Sequence, residues 1–158
     1  MDVQPEASRP HIPDYGLPTT TDGLLDWSHV VERLTRSRHY WIGTSRAGTP
    51  HVVPVWGVVV DGILHFGGGP RTRWALTLKE NPRVAVHLED GEQAVILEGT
   101  VSPITDAADP RMERIDDAYE VKYDMRHGPT VWVVQPTLAL AWTDFTKDAT
   151  RWRFGEKS

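Results

Sequence analysis

The stretch richest in chemistry is Gly67-Gly68-Gly69-Pro70-Arg71-Thr72-Arg73, which closes a run of β-forming residues and opens a helical one. Three glycines permit positive φ angles and let the backbone approach a ligand closely. The helix start behind them presents unpaired N–H groups and the positive end of the helix dipole, an arrangement suited to a phosphate. Arg71, Thr72 and Arg73 add side-chain donors, and a guanidinium grips phosphate through two parallel hydrogen bonds. The alternative is a glycine turn carrying two solvated arginines. The spacing is not that of a P-loop, GxxxxGK(S/T).

A second stretch is Gly48-Thr49-Pro50-His51-Val52-Val53-Pro54-Val55-Trp56. Proline inside a strand marks an edge or a bulge. Pro54 would leave neighbouring backbone groups without a ladder partner, free to face a flat ligand. Trp56 could cover that ligand or fill the core of a barrel. Neither stretch contains a nucleophile beside a base. The chain has no Gly-x-Ser-x-Gly, no His-Glu-x-x-His and no cysteine. Its seven histidines are scattered. His51, His65 and His87 fall in strand segments, where sheet closure could gather them, but single strand histidines are more often surface or satisfied groups, and no metal site is expected. Glu98, in the apolar run Val95 to Val101, reads as the outward side of an alternating strand rather than a buried acid. An enzyme built from these residues would need a bound cofactor to do its chemistry.

These segments need a scaffold, and the pattern of the chain specifies one. The length of 158 residues suits one core. Residues 1–21 carry Pro5, Pro10, Pro13 and Pro18, which favours an extended tail that either stays loose or drapes over a partner subunit. Residues 22–158 read as a single domain. Trp27, Val30, Val31 and Leu34 form one helical stripe, with Asp26 as N-cap. Tyr40-Trp41-Ile42 is a strand leading to a turn at Arg46-Ala47-Gly48. A hairpin follows, His51 to Val60 and Ile63 to Phe66, across Asp61-Gly62. Arg73 to Glu80 is a short helix ended by Asn81-Pro82. Arg83 to Leu88 and Gln93 to Val101 make a second hairpin. Asp109-Pro110 opens a helix lined by Met112, Ile115 and Tyr119. Val131 to Val134 and Leu138 to Trp142 read as a third hairpin, with Pro136 near its connection. Tight turns imply antiparallel pairing, so the fold class is mainly β (α+β), a small six- to seven-stranded barrel with helices plugging its ends. Thr150 to Phe154 reads as a docking strand or a cap over a neighbouring subunit.

The net charge of −5 argues against nucleic acid as partner. It leaves room for an anionic small molecule bound by local arginines. No apolar run approaches the ~20 residues of a membrane helix, the N-terminus lacks a secretory pattern, and the absence of cysteine fits a cytoplasmic protein. The seven tryptophans read mainly as core and interface fillers.

The order of several short pieces resembles the pyridoxamine 5′-phosphate oxidase-like superfamily, the flavin/deazaflavin oxidoreductases. The pieces are Tyr40-Trp41-Ile42-Gly43-Thr44, Gly48-Thr49-Pro50-His51, Pro54-Val55-Trp56, Thr72-Arg73, Asn81-Pro82-Arg83-Val84 and Leu97-Glu98-Gly99-Thr100. The pattern looks closest to the branch that uses the deazaflavin coenzyme F420, with FMN as the alternative cofactor. The resemblance implies a split β-barrel of the FMN-binding type, a homodimer, and a cofactor in the groove between subunits. It implies that Thr72 and Arg73 hold phosphate, aided by Gly68 and Arg71, and that Val53, Pro54, Val55 and Trp56 line the tricyclic ring. Trp74 is counted among the cofactor contacts by the same resemblance, although it stands where relatives carry a phosphate-binding lysine, and Thr77 stands where many carry asparagine. The implied activity is hydride transfer to or from a small unsaturated or electron-poor substrate, with Tyr119, Lys122 and Tyr123 as candidate substrate contacts. The helical pattern equally makes Tyr119 a core residue. A non-catalytic carrier of flavin, deazaflavin or haem is the competing function.

Overall fold

The structure, a computed structural model, describes residues 4–155. In chain order the elements are β1 (Glu6–Ser8), α1 (Trp27–Arg36), β2 (Tyr40–Arg46), β3 (Thr49–Val60), β4 (Ile63–Gly67) and α2 (Arg73–Glu80). They continue with β5 (Arg83–His87), β6 (Val95–Ile104), α3 (Met112–Tyr123), β7 (Val131–Ala141), α4 (Phe145–Asp148) and β8 (Thr150–Arg153). The strands run in the order β1-β8-β7-β4-β3-β2-β5-β6, and a further pairing of β6 with β7 closes six of them into a barrel. β8 and β1 extend the sheet beyond β7. Every strand pair is antiparallel, so the expected split β-barrel is what the chain forms.

Local chemistry accounts for most element ends. Asp26 caps α1 by accepting from Ser28 N. Asp61 and Gly62 both take positive φ, 53° and 75°, as a two-residue hairpin requires. Asn81 ends α2, and its side chain donates to Ser45 O at 2.9 Å. A two-point ion pair between Arg46 and Glu80 joins the β2–β3 turn to the same helix.

Val30 and Leu34 of α1 enter the barrel interior with Tyr40, Phe66, Trp74 and Trp152. A second core forms where α3 lies on the outside of the sheet. There Ile115 and Tyr119 pack on Val58, Ile104 and Val131. Each such side chain removed from water contributes roughly 1.5–3 kcal/mol.

One expected hairpin is not a hairpin. Val131 to Ala141 is a single strand through Pro136. It pairs with β6 along its length, but its other neighbour changes from β4 at Val131–Val133 to β8 at Leu138–Ala141. Pro136 stands in this exchange, opposite Gly99, where β6 carries a register shift between Glu98 and Gly99. A missing N–H is tolerated there because the ladder is already interrupted. The proline marks a change of neighbours, not a turn.

The proline-rich tail is tied to its own chain. Glu6, Ala7 and Ser8 pair with Arg153, Trp152 and Arg151. The Arg9 guanidinium then donates to the carbonyls of Thr20 (3.1 Å), Asp22 (2.5 Å), Lys147 (3.2 Å) and Ala149 (2.9 Å). Residues 150–153 are accordingly a docking strand within the same sheet. Among the described residues, no helix is long and apolar enough to cross a membrane.

Gly99 is the position where this arrangement leaves no room for a side chain. A Cβ there would collide with the Gln135 carbonyl and come within 2.8 Å of the Pro136 Cα, both backbone atoms that cannot swing aside. Gly99→Ala should cost about 1–3 kcal/mol as an overpacked site, lowering the melting temperature by roughly 3–9 °C. A melting temperature within 1 °C of the parent would show that β7 yields freely at this point.

Candidate functional site

Strand β3 brings the two chemistry-bearing stretches together. Its first half, Thr49 to Val55, pairs with β2 alone, while its second half, Trp56 to Val60, pairs with β4. Trp56 stands directly opposite Gly67, the first glycine of the GGGPRTR segment. Beyond Trp56 toward Thr49, β3 has no neighbour on the β4 side, and this is where its prolines, Pro50 and Pro54, lie. The backbone ends up with an open edge beside the glycine loop. Side chains alternate along it: Val52, Pro54 and Trp56 turn outward, with Val52 54% and Trp56 38% exposed. Val55 turns into the core and Val53 packs against it, so neither side chain lies on the outward face. Val52, absent from the expected lining, was signalled by period-two alternation with Trp56.

The loop itself is shaped by Thr72. Its hydroxyl donates to Gly69 O at 2.8 Å and caps α2 by accepting from Ala75 N at 3.4 Å. Helix geometry leaves the first N–H groups of α2 without intrahelical partners. Arg71 and Arg73 flank them and are exposed. Gly68 is fixed by packing, since a Cβ there would lie 2.7 Å from the Trp74 ring. Trp74 is only 6% exposed and points into the barrel against Phe66. It supports the loop from beneath, and the loop's cations are therefore Arg71 and Arg73. Thr77 is buried in the same helix.

Helix α3 converges on the same point from the other side. Tyr119 is buried and donates to Trp56 O at 3.1 Å. Tyr123 Oη accepts from Gly57 N at 3.0 Å and lies 2.7 Å and 2.9 Å from the Arg38 and Gly57 carbonyls. The Tyr123 ring stacks on Trp56 with centroids 4.4 Å apart and planes 4° from parallel. Lys122 Nζ donates to Tyr40 Oη at 2.7 Å and to Gly57 O at 2.9 Å. Burial, and then the neighbouring Arg38, pull the Lys122 ammonium down to about 8. Burial pushes the Tyr40 and Tyr119 hydroxyls up, and the nearby Tyr123 adds to it.

Two contributors carried no local signal in the sequence. Arg38 comes from the segment after α1, and its guanidinium lies 5.5 Å and 5.0 Å from the Trp56 and Tyr123 ring centroids. His127 lies against Gly67 so closely that a Cβ there would collide with its ring. Its backbone N–H and that of Gly128 are held by Asp116 Oδ1 at 3.2 Å and 2.9 Å. The other singled-out residues do not join them. His51 pairs with Thr44, His65 is buried in β4, His87 stacks on Trp41, and Glu98 is exposed. Among the described residues, no three His, Asp or Glu side chains are grouped to hold a metal ion.

A six-stranded split barrel with an open apolar strand edge beside a capped glycine loop defines a recognisable class. The family model for pyridoxamine 5′-phosphate oxidase matches residues 27–143, and the chain belongs to that family. Solved structures share the fold. One is a conserved hypothetical protein from Mycobacterium tuberculosis, 17% identical, with TM-score 0.64 over 88% of this chain and 94% of that one. Another is an FAD binding protein from Mycobacterium smegmatis, 24% identical, TM-score 0.52, over 83% and 98% of the two chains. A third is an F420 reductase, 23% identical, TM-score 0.53, over 68% and 94%. No curated protein matches the chain.

The Lys122 environment makes a testable statement about pH. Its folded value of about 8 lies below the ordinary 10.5. The unfolded chain therefore binds more protons between these values, and this group makes stability rise with pH above 8. Denaturant titrations from pH 7.5 to 9.0, where an ordinary tyrosine is still mostly protonated, should show that rise. Lys122→Met should flatten it, and an unchanged slope in the variant would place the effect elsewhere.

Proposed function

We propose that the chain is an F420-dependent oxidoreductase that moves a hydride between a deazaflavin and a small unsaturated or electron-poor organic substrate. The observation that carries this reading is the Trp56–Gly67 pairing, which sets an apolar open strand edge beside a capped helix start with two exposed guanidiniums. The donor set suits a phosphate, and the edge suits a flat ring whose polar rim can meet unpaired β3 backbone groups. A bound deazaflavin supplies two-electron hydride chemistry; the protein supplies binding, orientation and dryness.

The chain's own residues divide that work. Arg71 and Arg73 hold the anionic tail, and Thr72 keeps the helix start in shape for it. Val52, Pro54 and Trp56 exclude water from one face of the ring. Tyr119 fixes the backbone of Trp56, and Lys122 and Tyr123 fix that of Gly57, so the ring platform cannot drift. Preference for F420 over FMN rests on the sequence pieces shared with the deazaflavin branch, and the F420 reductase with the same fold supports it. A second copy of the chain completes the groove in this reading, covering the exposed Val52 and Trp56. A carrier without turnover is the second reading, and the observation favouring it is Trp74, which sits in the core where the family has a phosphate-binding lysine.

Fluorescence titration of the purified protein with F420 and, separately, with FMN tests the cofactor. Saturable binding of F420 in preference to FMN is expected; preference for FMN would shift the assignment, and binding of neither would remove it. Arg73→Ala should weaken binding about tenfold or more, since a hydrogen bond to a charged group contributes about 1.5–3 kcal/mol. Turnover with a panel of enones, quinones and nitroarenes separates the reductase from the carrier.

Light scattering at micromolar concentration should give the mass of a dimer. A monomer that still binds cofactor would confine the site to one chain.

A further inference from the structure

We infer that Arg38 and Lys122 form an anion-binding subsite beside Trp56, suited to the carboxylate of a flat, conjugated organic acid. The inference rests on the reading of this barrel end as the ligand site and names the substrate class that site would take.

Two cations meet here without a counter-charge. Arg38 Nη1 donates to Lys122 O at 3.3 Å. The partners of the Lys122 ammonium are all neutral: the Tyr40 hydroxyl at 2.7 Å, the Gly57 carbonyl at 2.9 Å, and the Tyr40 and Tyr123 ring faces at 4.8 Å and 5.3 Å. The partners of Arg38 are the Lys122 carbonyl and the Trp56 and Tyr123 rings. Elsewhere in the described residues, Arg36, Arg46, Arg111, Arg114 and Arg126 each meet an aspartate or glutamate, and exposed arginines such as Arg71 and Arg83 meet none. Arg38 and Lys122 differ from both groups in lying against each other with the ammonium half-buried. Their mutual repulsion and the burial of Lys122 act against the charged lysine, and an anion would relieve both.

Position supplies the rest. Arg38 is exposed and Lys122 half-buried, so a ligand can reach the first and approach the second in a partly desolvated setting where charge pairing is stronger. The Arg38 guanidinium lies against the stacked Trp56 and Tyr123 rings at the margin of the ring platform, so an acid held by Arg38 would sit beside the cofactor ring at Trp56 and not in its place. Arg71 and Arg73 lie across the strand edge at the glycine loop and are assigned to the cofactor phosphate, so the two basic groups serve different ligands.

The test uses benzoate, with benzamide as its neutral counterpart, on full-length protein labelled with nitrogen-15. The Trp56 indole N–H signal reports binding. Benzoate should bind at least tenfold more tightly than benzamide, Arg38→Gln should lose at least tenfold of benzoate affinity, and Arg38→Lys should recover part of it. Arg38 is exposed, so the variants should keep the parent's melting temperature. Lys122→Gln is a second, independent variant with the same expected loss. Benzoate binding that persists with saturating F420 or FMN supports a substrate subsite. Equal affinity for benzoate and benzamide, an unchanged affinity in folded Arg38→Gln, or displacement of benzoate by the cofactor would each overturn the assignment. Cofactor affinity, measured separately, would be untouched by the first two of these results, so failure here and failure of the cofactor reading are distinguishable.

Discussion

Strand β3 changes neighbours halfway along its length, and the site depends on that exchange. From Thr49 to Val55 it belongs to β2, and from Trp56 onward it also belongs to β4. Had β4 continued alongside the whole strand, Pro50 and Pro54 would each have cost a ladder hydrogen bond. Because β4 ends at Gly67, opposite Trp56, the prolines occupy an edge that needs no donor from them. The same ending releases the chain into the glycine loop and α2. One local event in the sheet therefore produces both the open edge and the anion-directed helix start, and sets them side by side.

The opposite side of this junction is braced by α3 rather than by another strand. Tyr119, Lys122 and Tyr123 each place a polar atom on the Trp56 or Gly57 backbone. Glycine at 57 is part of the arrangement, since a Cβ would lie 2.7 Å from the His65 carbonyl and 3.1 Å from the Tyr40 ring. The bracing carries a cost. Lys122 is held where its charge is disfavoured, and Arg38 is stationed close to it. A cluster tuned only for stability would place a carboxylate there, as the ion pairs of Arg46 and Arg114 do. Local electrostatic frustration of this kind is characteristic of ligand sites.

Barrel closure repeats the device seen in β3. β7 also exchanges one neighbour for another, at Pro136, and its second half carries β8 and β1 outside the closed barrel. Arg9 then locks the tail by donating to four backbone carbonyls. A guanidinium is suited to this because its rigid fork of donors can satisfy several acceptors at once.

Local signals in the sequence were enough to determine much of this protein. Asp26 as a cap, the Asp61-Gly62 turn, the α2 boundaries at Arg73 and Glu80, and the buried face of Met112, Ile115 and Tyr119 all follow from capping, turn chemistry and periodicity, which act over a few residues. The glycine loop and the proline-marked edge were visible for the same reason. Pro136 was misread because a proline at a turn and a proline at an exchange of neighbours look alike until the partner strand is known. Trp74 looked like part of the loop's ligand face, but side-chain direction at a helix start is set by what lies beneath it, here Phe66 and the barrel core. Arg38 and His127 reach the site from segments far from the glycine loop in sequence, and no local pattern could announce them. The tertiary structure alone decided that these distant side chains meet at Trp56 and Gly67, because that meeting is a consequence of strand register and helix packing across the closed barrel.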